Sequence, residues 1–237
     1  MKSANIHVKI CGITCVEDAR AAIDAGASAI GLNFVPSSPR RVDRDAARAI
    51  SEAVGDEALV IGVVADLDVA SMLRLREEAK LGCLQLHGDE PPESLEPLLP
   101  HAYKAIRVSS AEHVALAERY PGEHLLVDAR VEGALGGTGR RVDVALVAPL
   151  AKKRKLTLAG GLAPENVAAA IEAVGPFCVD VASGVERPGE PRRKDAAKMR
   201  AFVAAARAAR GGPILTEDRA PSTVGARPEV RSPARRP

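Results

Sequence analysis

Eight times between residues 6 and 210, a short β-prone apolar run ends in a turn and is followed by apolar residues at helical spacing. This strict alternation constrains the fold more than any other feature of the chain. It is clearest in Lys155–Glu186, KLTLAGGLAPENVAAAIEAVGPFCVDVASGVE. Lys155–Ala159 reads as a strand stopped by Gly160-Gly161. Pro164 then stands where a first helical turn belongs, and Val167, Ile171 and Val174 recur at helical spacing. Phe177–Val181 reads as a second buried strand, stopped by Ser183-Gly184. A strand–helix–strand unit of this length implies parallel strands joined by a right-handed crossover. Both glycine turns therefore open at the same, carboxyl-terminal sheet edge. Glycine lets backbone N–H groups approach a ligand closely, and N–H groups at such turns bind anions. The pair reads as a phosphate clamp.

The same pattern runs back to the start of the chain. Ile6–Cys11, Ser28–Phe34, Leu59–Val64, Cys83–Leu86, Tyr103–Val108 and His124–Asp128 read as strands 1–6. Helices are expected from Thr14 or Cys15 to Gly26, over Asp43–Val54 with Asp43 as N-cap, and from Val69 to Lys80. Further helices are expected over Pro91–Leu99, Ser110–Tyr120, Val142–Leu150 and Arg193–Arg210. Alternation in one domain argues for an α/β fold, and a count of eight argues for a single closed (β/α)8 TIM barrel over residues 1–210. The alternative, an open doubly wound sheet, would need fewer strands in one layer and a reversal of strand order. Residues 211–237 carry five Pro and no periodicity, and read as a Pro/Arg-rich disordered tail.

Charge excludes some functions. The net +2 lies wholly in that tail, with five Arg against three Asp and Glu; the body is neutral, and only 2% of residues are aromatic. Without a basic stripe or stacking platforms, nucleic acid is not an expected partner. No apolar run approaches the roughly 20 residues that span a bilayer, so no membrane association is expected. MKSANIHVKICG enters a strand without a signal-peptide pattern, which suggests a cytoplasmic protein. Cys11, Cys15, Cys83 and Cys178 form no CxxC pair, so free thiols are expected, with a catalytic cysteine as the sharper reading.

Active sites of such barrels lie at the carboxyl-terminal strand ends. Here those ends carry Cys11, Asn33-Phe34, Gln85-Leu86-His87, Asp128, Gly160-Gly161 and Ser183-Gly184. A phosphate clamp at strands 7 and 8 thus faces a thiol and a carboxylate. No Ser-His-Asp spacing or metal-ligand cluster stands out, and no lysine ends a strand where a Schiff base would need it. The pattern favours acid–base chemistry on a small phosphate ester with no cofactor and no metal.

KICGIT (Lys9–Thr14), SPR (Ser38–Arg40), LQLHGDE (Leu84–Glu90), LLVDA (Leu125–Ala129), GGTG (Gly136–Gly139), AGGLAPENV (Ala159–Val167) and VDVASGVE (Val179–Glu186) together resemble the phosphoribosylanthranilate isomerase family of tryptophan biosynthesis, in register from about residue 6 to 208. The resemblance implies an Amadori rearrangement of N-(5′-phosphoribosyl)anthranilate, with Cys11 as general base and Asp128 as general acid. It implies a small-molecule phosphosugar substrate and a monomer or homodimer. Arg40 would hold the anthranilate carboxylate, with Arg41 as its competitor. Gly160, Gly161, Ser183 and Gly184 would bind phosphate, and His87 would line the mouth.

Chemistry adds conditions. A free thiol must be pushed toward thiolate to act as a base. Lys9 lies on the same strand face as Cys11, and in a closed barrel Asp180 on strand 8 is positioned to pair with Lys9. Asp128 must be protonated when it acts, so burial under substrate should raise its pKa. Gly136–Gly139 lacks the GK[ST] lysine of a nucleotide loop and reads as a mobile lid beside Asp128. The chain departs from the family at Arg140-Arg141-Val142-Asp143-Val144, where Lys and Phe-Asp-Trp are usual, and at Val63-Val64-Ala65-Asp66. A histidine-pathway aminoaldose isomerase would want an aspartate in place of Cys11 and a second phosphate clamp. A catalytically dead scaffold would have lost Cys11 or Asp128, and an epimerase would need clustered histidines.

Overall fold

The computed structural model describes residues 6–108, 110–128 and 144–210. Its strands are β1 (His7–Cys11), β2 (Ala29–Asn33), β3 (Leu59–Val64), β4 (Cys83–Leu86), β5 (Ala102–Arg107), β6 (His124–Asp128), β7 (Lys155–Ala159) and β8 (Cys178–Val181). They close into one barrel in sequence order, all parallel, with β1 hydrogen-bonded to both β2 and β8. This is the (β/α)8 architecture expected from the alternation. The glycine turns after β7 and β8 open side by side on the carboxyl-terminal rim, because the two strands are neighbours and run the same way.

The helices are α1 (Val16–Asp24), α2 (Arg44–Val54), α3 (Val69–Glu78), α4 (Ala111–Arg119), α5 (Val144–Lys153), α6 (Val167–Val174) and α7 (Ala196–Arg210). Local chemistry sets where they begin and which face they bury. In α2, the Asp43 side chain accepts the Ala46 N–H at 2.8 Å, and Ala47, Ile50, Ser51 and Val54 are the buried stripe. Asp68 caps α3 in the same way through Ser71 N–H. α7 packs between α6 and α1 and completes the outer ring.

The structure corrects the fourth helix. Residues 91–99 form two 3-10 turns, Pro92–Ser94 and Glu96–Leu98, rather than an α-helix. Pro92 suits a first turn, but Pro97 has no N–H to donate and its ring obstructs a continuous helix. A second correction lies after β8. A hairpin not expected from the sequence, β9 (Glu186–Arg187) with β10 (Glu190–Lys194), takes in Arg193 and Lys194, expected to open the last helix, and α7 starts only at Ala196. Asp195 supplies that boundary, its carboxylate accepting Ala197 N–H at 2.8 Å. Gly136–Gly139, the substitutions at Arg140–Asp143 and the tail from 211 lie outside the described residues.

Apolar side chains fill both sides of the barrel wall. Ile61, Tyr103, Ala105, Leu126 and Ala159 meet inside it. Outside, strand residues such as Ile10, Ile30, Leu84 and Leu125 pack with the helix stripes. Among the described residues, no helix is long and apolar enough to cross a membrane.

At the amino-terminal end, Phe177 stacks on His7 at 4.5 Å and meets His124 edge-on at 5.1 Å. Burial, with Lys155 beside it, holds His124 below the ordinary histidine value of 6.5. His87 is lowered too, chiefly by burial. The unfolded chain therefore binds more protons than the folded one below that ordinary value. Stability is complete above it and is lost as pH falls toward the folded-state values. Chemical denaturation between roughly pH 7 and pH 5 should show this decline, and His124→Phe should flatten it.

Candidate active site

Four polar side chains cross the barrel beneath its carboxyl-terminal mouth. Lys9 is buried at 1% exposure, too deep for an ammonium unless it is paired. Its Nζ donates to Asp180 Oδ2 and to Gln85 Oε1, both at 3.0 Å. The Lys9–Asp180 pair follows from closure, since β1 and β8 place these residues in direct register. Tyr103 Oη donates to the same Gln85 oxygen at 3.0 Å, and Gln85 Nε2 lies 3.2 Å from His87 Nδ1. Burial alone would favour neutral Lys9, but Asp180, Cys11 and Tyr103 outweigh it and hold the ammonium well above its ordinary range. Asp180 Oδ1 is buried and meets no protein donor.

Cys11 ends β1 one layer above, partly open to the mouth. Gly31, its neighbour across β2, leaves it room. A Cβ at that position would stand 2.8 Å from Cys11 Sγ and 3.1 Å from Lys9 Nζ. Burial raises the Cys11 thiol, while the Lys9 charge and a hydrogen bond from it pull the other way; Asp180 adds to the rise. The positive field expected from Lys9 is therefore present, but burial exceeds it. Elsewhere burial dominates fully, pushing Cys83 up to about 11 and Cys178 up to about 12, which leaves those two as structural thiols.

Asp128 ends β6, in register with Arg107 on one side and with Ala159, just before the β7 turn, on the other. His87 follows β4 and is half-buried. Burial is the main reason its pKa is lowered, with Asp128 opposing and Arg107 and Lys9 assisting.

Arg40, not its exposed neighbour Arg41, reaches the mouth. Its stem crosses Gly12, where a Cβ would lie 2.4 Å from Arg40 Cδ and where φ is +74°. Its Nε and Nη2 donate to the two oxygens of Glu186 at 2.6 and 2.9 Å. That hydrogen-bonded pairing is the main reason the Arg40 pKa is raised. Glu186 closes the VDVASGVE stretch, yet the sequence assigns it no role. Its partners come from residues 40 and 194, so no local pattern reveals them. Tyr103 escapes sequence reading for the same reason; Gln85 is placed by the sequence at the end of its strand, but its bonds to Lys9 and Tyr103 are not legible there.

The glycine turns meet backbone to backbone. A Cβ on Gly184 would lie 2.1 Å from the Leu162 carbonyl oxygen, and Gly160 and Gly161 have φ of +98° and +65°. Asn166 braces the first turn, with Nδ2 donating to Gly161 O at 3.0 Å and Oδ1 accepting Ala163 N–H at 2.8 Å. Ser183 is exposed at the start of a 3-10 turn over Ser183–Val185. Gly184→Ala must push the turns apart. Affinity for inorganic phosphate or a phosphate-bearing ligand should fall about tenfold or more, as expected on losing charge-assisted N–H bonds, with far-ultraviolet circular dichroism unchanged. Titration calorimetry checks this; unchanged affinity would remove these turns from the anion site.

The resulting rim therefore brings Cys11, Asp128, Arg40, His87 and the paired glycine turns to one opening, over the Lys9–Asp180 pair. Among the described residues, no group of three or more His, Cys, Asp or Glu side chains is placed to hold a metal ion. The family model for N-(5′-phosphoribosyl)anthranilate (PRA) isomerase matches residues 8–205. An N-(5′-phosphoribosyl)anthranilate isomerase from Desulforudis audaxviator is 45% identical over 204 residues, covering 85% of this chain and 98% of its own. The crystal structure of phosphoribosyl anthranilate isomerase from Thermotoga maritima superposes with a TM-score of 0.77 at 36% identity, over 85% of this chain and 98% of that one. A phosphoribosyl anthranilate isomerase structure in complex with reduced 1-(o-carboxyphenylamino)-1-deoxyribulose 5-phosphate matches at 0.74 and 34%, with the same coverage. Matching in sequence and in backbone over the whole described barrel, the chain belongs to the N-(5′-phosphoribosyl)anthranilate isomerase family.

Proposed function

We propose that this protein converts N-(5′-phosphoribosyl)anthranilate to 1-(2-carboxyphenylamino)-1-deoxyribulose 5-phosphate by an Amadori rearrangement, in tryptophan biosynthesis. The observation that carries the reading is family membership across a barrel whose mouth retains a thiol and a carboxylate on different strands. Asp128 protonates the furanose ring oxygen as the C1′–O bond breaks and the anthranilate nitrogen forms an iminium. Cys11 thiolate then takes the proton from C2′, and the C2′–H electrons neutralise the iminium to give an enolamine. Tautomerisation to the ketone completes an internal redox change, so no cofactor enters the balance. Each positioned proton transfer is typically worth ~10²–10⁴ in rate.

The remaining groups suit the two ends of the substrate. Gly160, Gly161, Ser183 and Gly184 hold the phosphate through backbone N–H groups and the Ser183 hydroxyl. Arg40 takes the anthranilate carboxylate, which matches a planar guanidinium. Binding at both ends fixes the reacting carbons between acid and base. Lys9 and Asp180 support the arrangement from below, and His87 supports it at the rim. The reading carries with it a cytoplasmic enzyme working as a monomer or homodimer on a small phosphosugar.

The test is single-turnover conversion of freshly made N-(5′-phosphoribosyl)anthranilate, followed by the loss of anthranilate-type fluorescence. Rapid conversion by the wild-type protein is the expected result. Folded protein that leaves the substrate unchanged would remove the reading.

A further inference from the structure

We propose that the β9–β10 hairpin is the orienting frame of the carboxylate subsite, with Glu186, Arg192 and Lys194 fixing the Arg40 guanidinium before substrate arrives. The inference rests on the reading of Arg40 as the carboxylate-binding group. Four sets of hydrogen bonds carry it. Glu186, only 8% exposed, takes Arg40 Nε and Nη2 as a two-bond fork. Lys194 Nζ, buried behind it, donates to Glu186 Oε1 and to Ala182 O, both at 3.0 Å. Arg192 Nη1 donates to Pro39 O at 3.1 Å and Arg41 O at 2.9 Å, the carbonyls immediately before and after Arg40. Finally, the Lys194 main-chain N–H is held by Asp18 Oδ2 at 2.8 Å, and the Arg192 carbonyl accepts from Thr14 Oγ1, which ties the hairpin to the loop and helix after Cys11.

The fork uses Nε–H and one Nη2–H of the five guanidinium donors. It leaves the opposite edge of the same plane, Nη1 and the second Nη2–H, for a ligand carboxylate. Two cations share one carboxylate here, so the cluster keeps one net positive charge. A free arginine gives up rotamer entropy when it is ordered. Here the protein fold has already fixed Arg40, so that cost does not fall on binding. Glu186, Arg192 and Lys194 are thus positioning residues, acting through Arg40.

The experiment compares two ligands by calorimetry: reduced 1-(o-carboxyphenylamino)-1-deoxyribulose 5-phosphate and the same compound without the ring carboxylate. The proteins are wild type, Arg40→Met, Glu186→Gln and Arg192→Met; Arg192 is exposed, so its variant keeps the fold even if Glu186→Gln does not. In both hairpin variants, the carboxylate ligand should weaken about tenfold, the scale of one charge-assisted hydrogen bond, while the carboxylate-free ligand changes little. Turnover should show KM rising more than kcat falls. Equal weakening of both ligands would make the hairpin a general structural support and overturn the inference. Tighter carboxylate binding in Glu186→Gln would make Glu186 a competitor and overturn it as well. If Arg40→Met removes the preference for the carboxylate ligand and the hairpin variants do not, the hairpin inference alone fails. If Arg40→Met leaves the preference intact, the underlying reading of Arg40 fails.

Discussion

Cys11→Ala and Asp128→Asn should each lower kcat by about 10²–10⁴-fold while KM stays within a few-fold, because each removes one positioned proton transfer and neither removes a substrate-holding group. The two losses should differ in kind. Without the thiol, cleavage of the C2′–H bond becomes the slow step, so substrate deuterated at C2′ should react several-fold more slowly than the protiated form in Cys11→Ala. In Asp128→Asn, the carboxamide keeps the shape of the acid but has no acidic proton to give. Ring opening then limits the rate, and the same deuterium should have little effect. Equal isotope effects in the two variants would show that the roles are assigned wrongly. The wild-type enzyme adds a pH signature. Burial holds the Cys11 thiol above its ordinary value, so alkylation of Cys11 in the free enzyme should accelerate as pH rises and thiolate accumulates.

Lys9→Met carries the largest expected loss of stability. The substitution leaves Asp180 buried at 7% exposure without its cation and leaves Gln85 Oε1 with one donor fewer. Breaking a buried pair by removing one partner typically costs ~3–5 kcal/mol, on the order of 10 °C in Tm for a chain of this size. Removing both charges together, in Lys9→Met/Asp180→Leu, should restore much of the stability, because a matched apolar pair carries no desolvation cost. The same single variant tests the field on Cys11. With the ammonium gone and the Asp180 charge uncompensated, the thiol rises further, so the pH profile of Cys11 alkylation should move to higher pH. A profile that stays in place would show that Lys9 supports the barrel without acting on the thiol.

Much of the fold was legible because barrel strands and helices are made by local pattern. The apolar run of Lys155–Ala159, its glycine stop and the helical spacing of Val167, Ile171 and Val174 need no distant partner to be read. The same holds for the Asp43 cap. Local reading failed at residues 91–99, where a proline that opens a turn and a proline that interrupts one look alike. It was silent over Glu186–Arg192 and wrong at Arg193-Lys194, where charged residues form a hairpin held by Asp18 of α1 and by its own reach to the loop after β2.

The site divides along the same line. Residues at strand ends, Cys11, Asp128 and the two glycine turns, could be placed on one rim from the sequence, because parallel strands put all their carboxyl ends on one side. Closure even foretold the contact of Lys9 with Asp180, since the first and last strands must then be neighbours. The sequence by itself thus determined the alternating architecture and which residues stand at the mouth. Only the tertiary structure decided how those residues are held and charged. It made Arg40 rather than Arg41 the mouth cation, gave Arg40 to Glu186, joined Gln85 to Lys9 and Tyr103, and set burial against Lys9 at the Cys11 thiol. The physical reason is range: backbone periodicity acts over a few residues, whereas ion pairs and desolvation act between groups that only chain closure brings together.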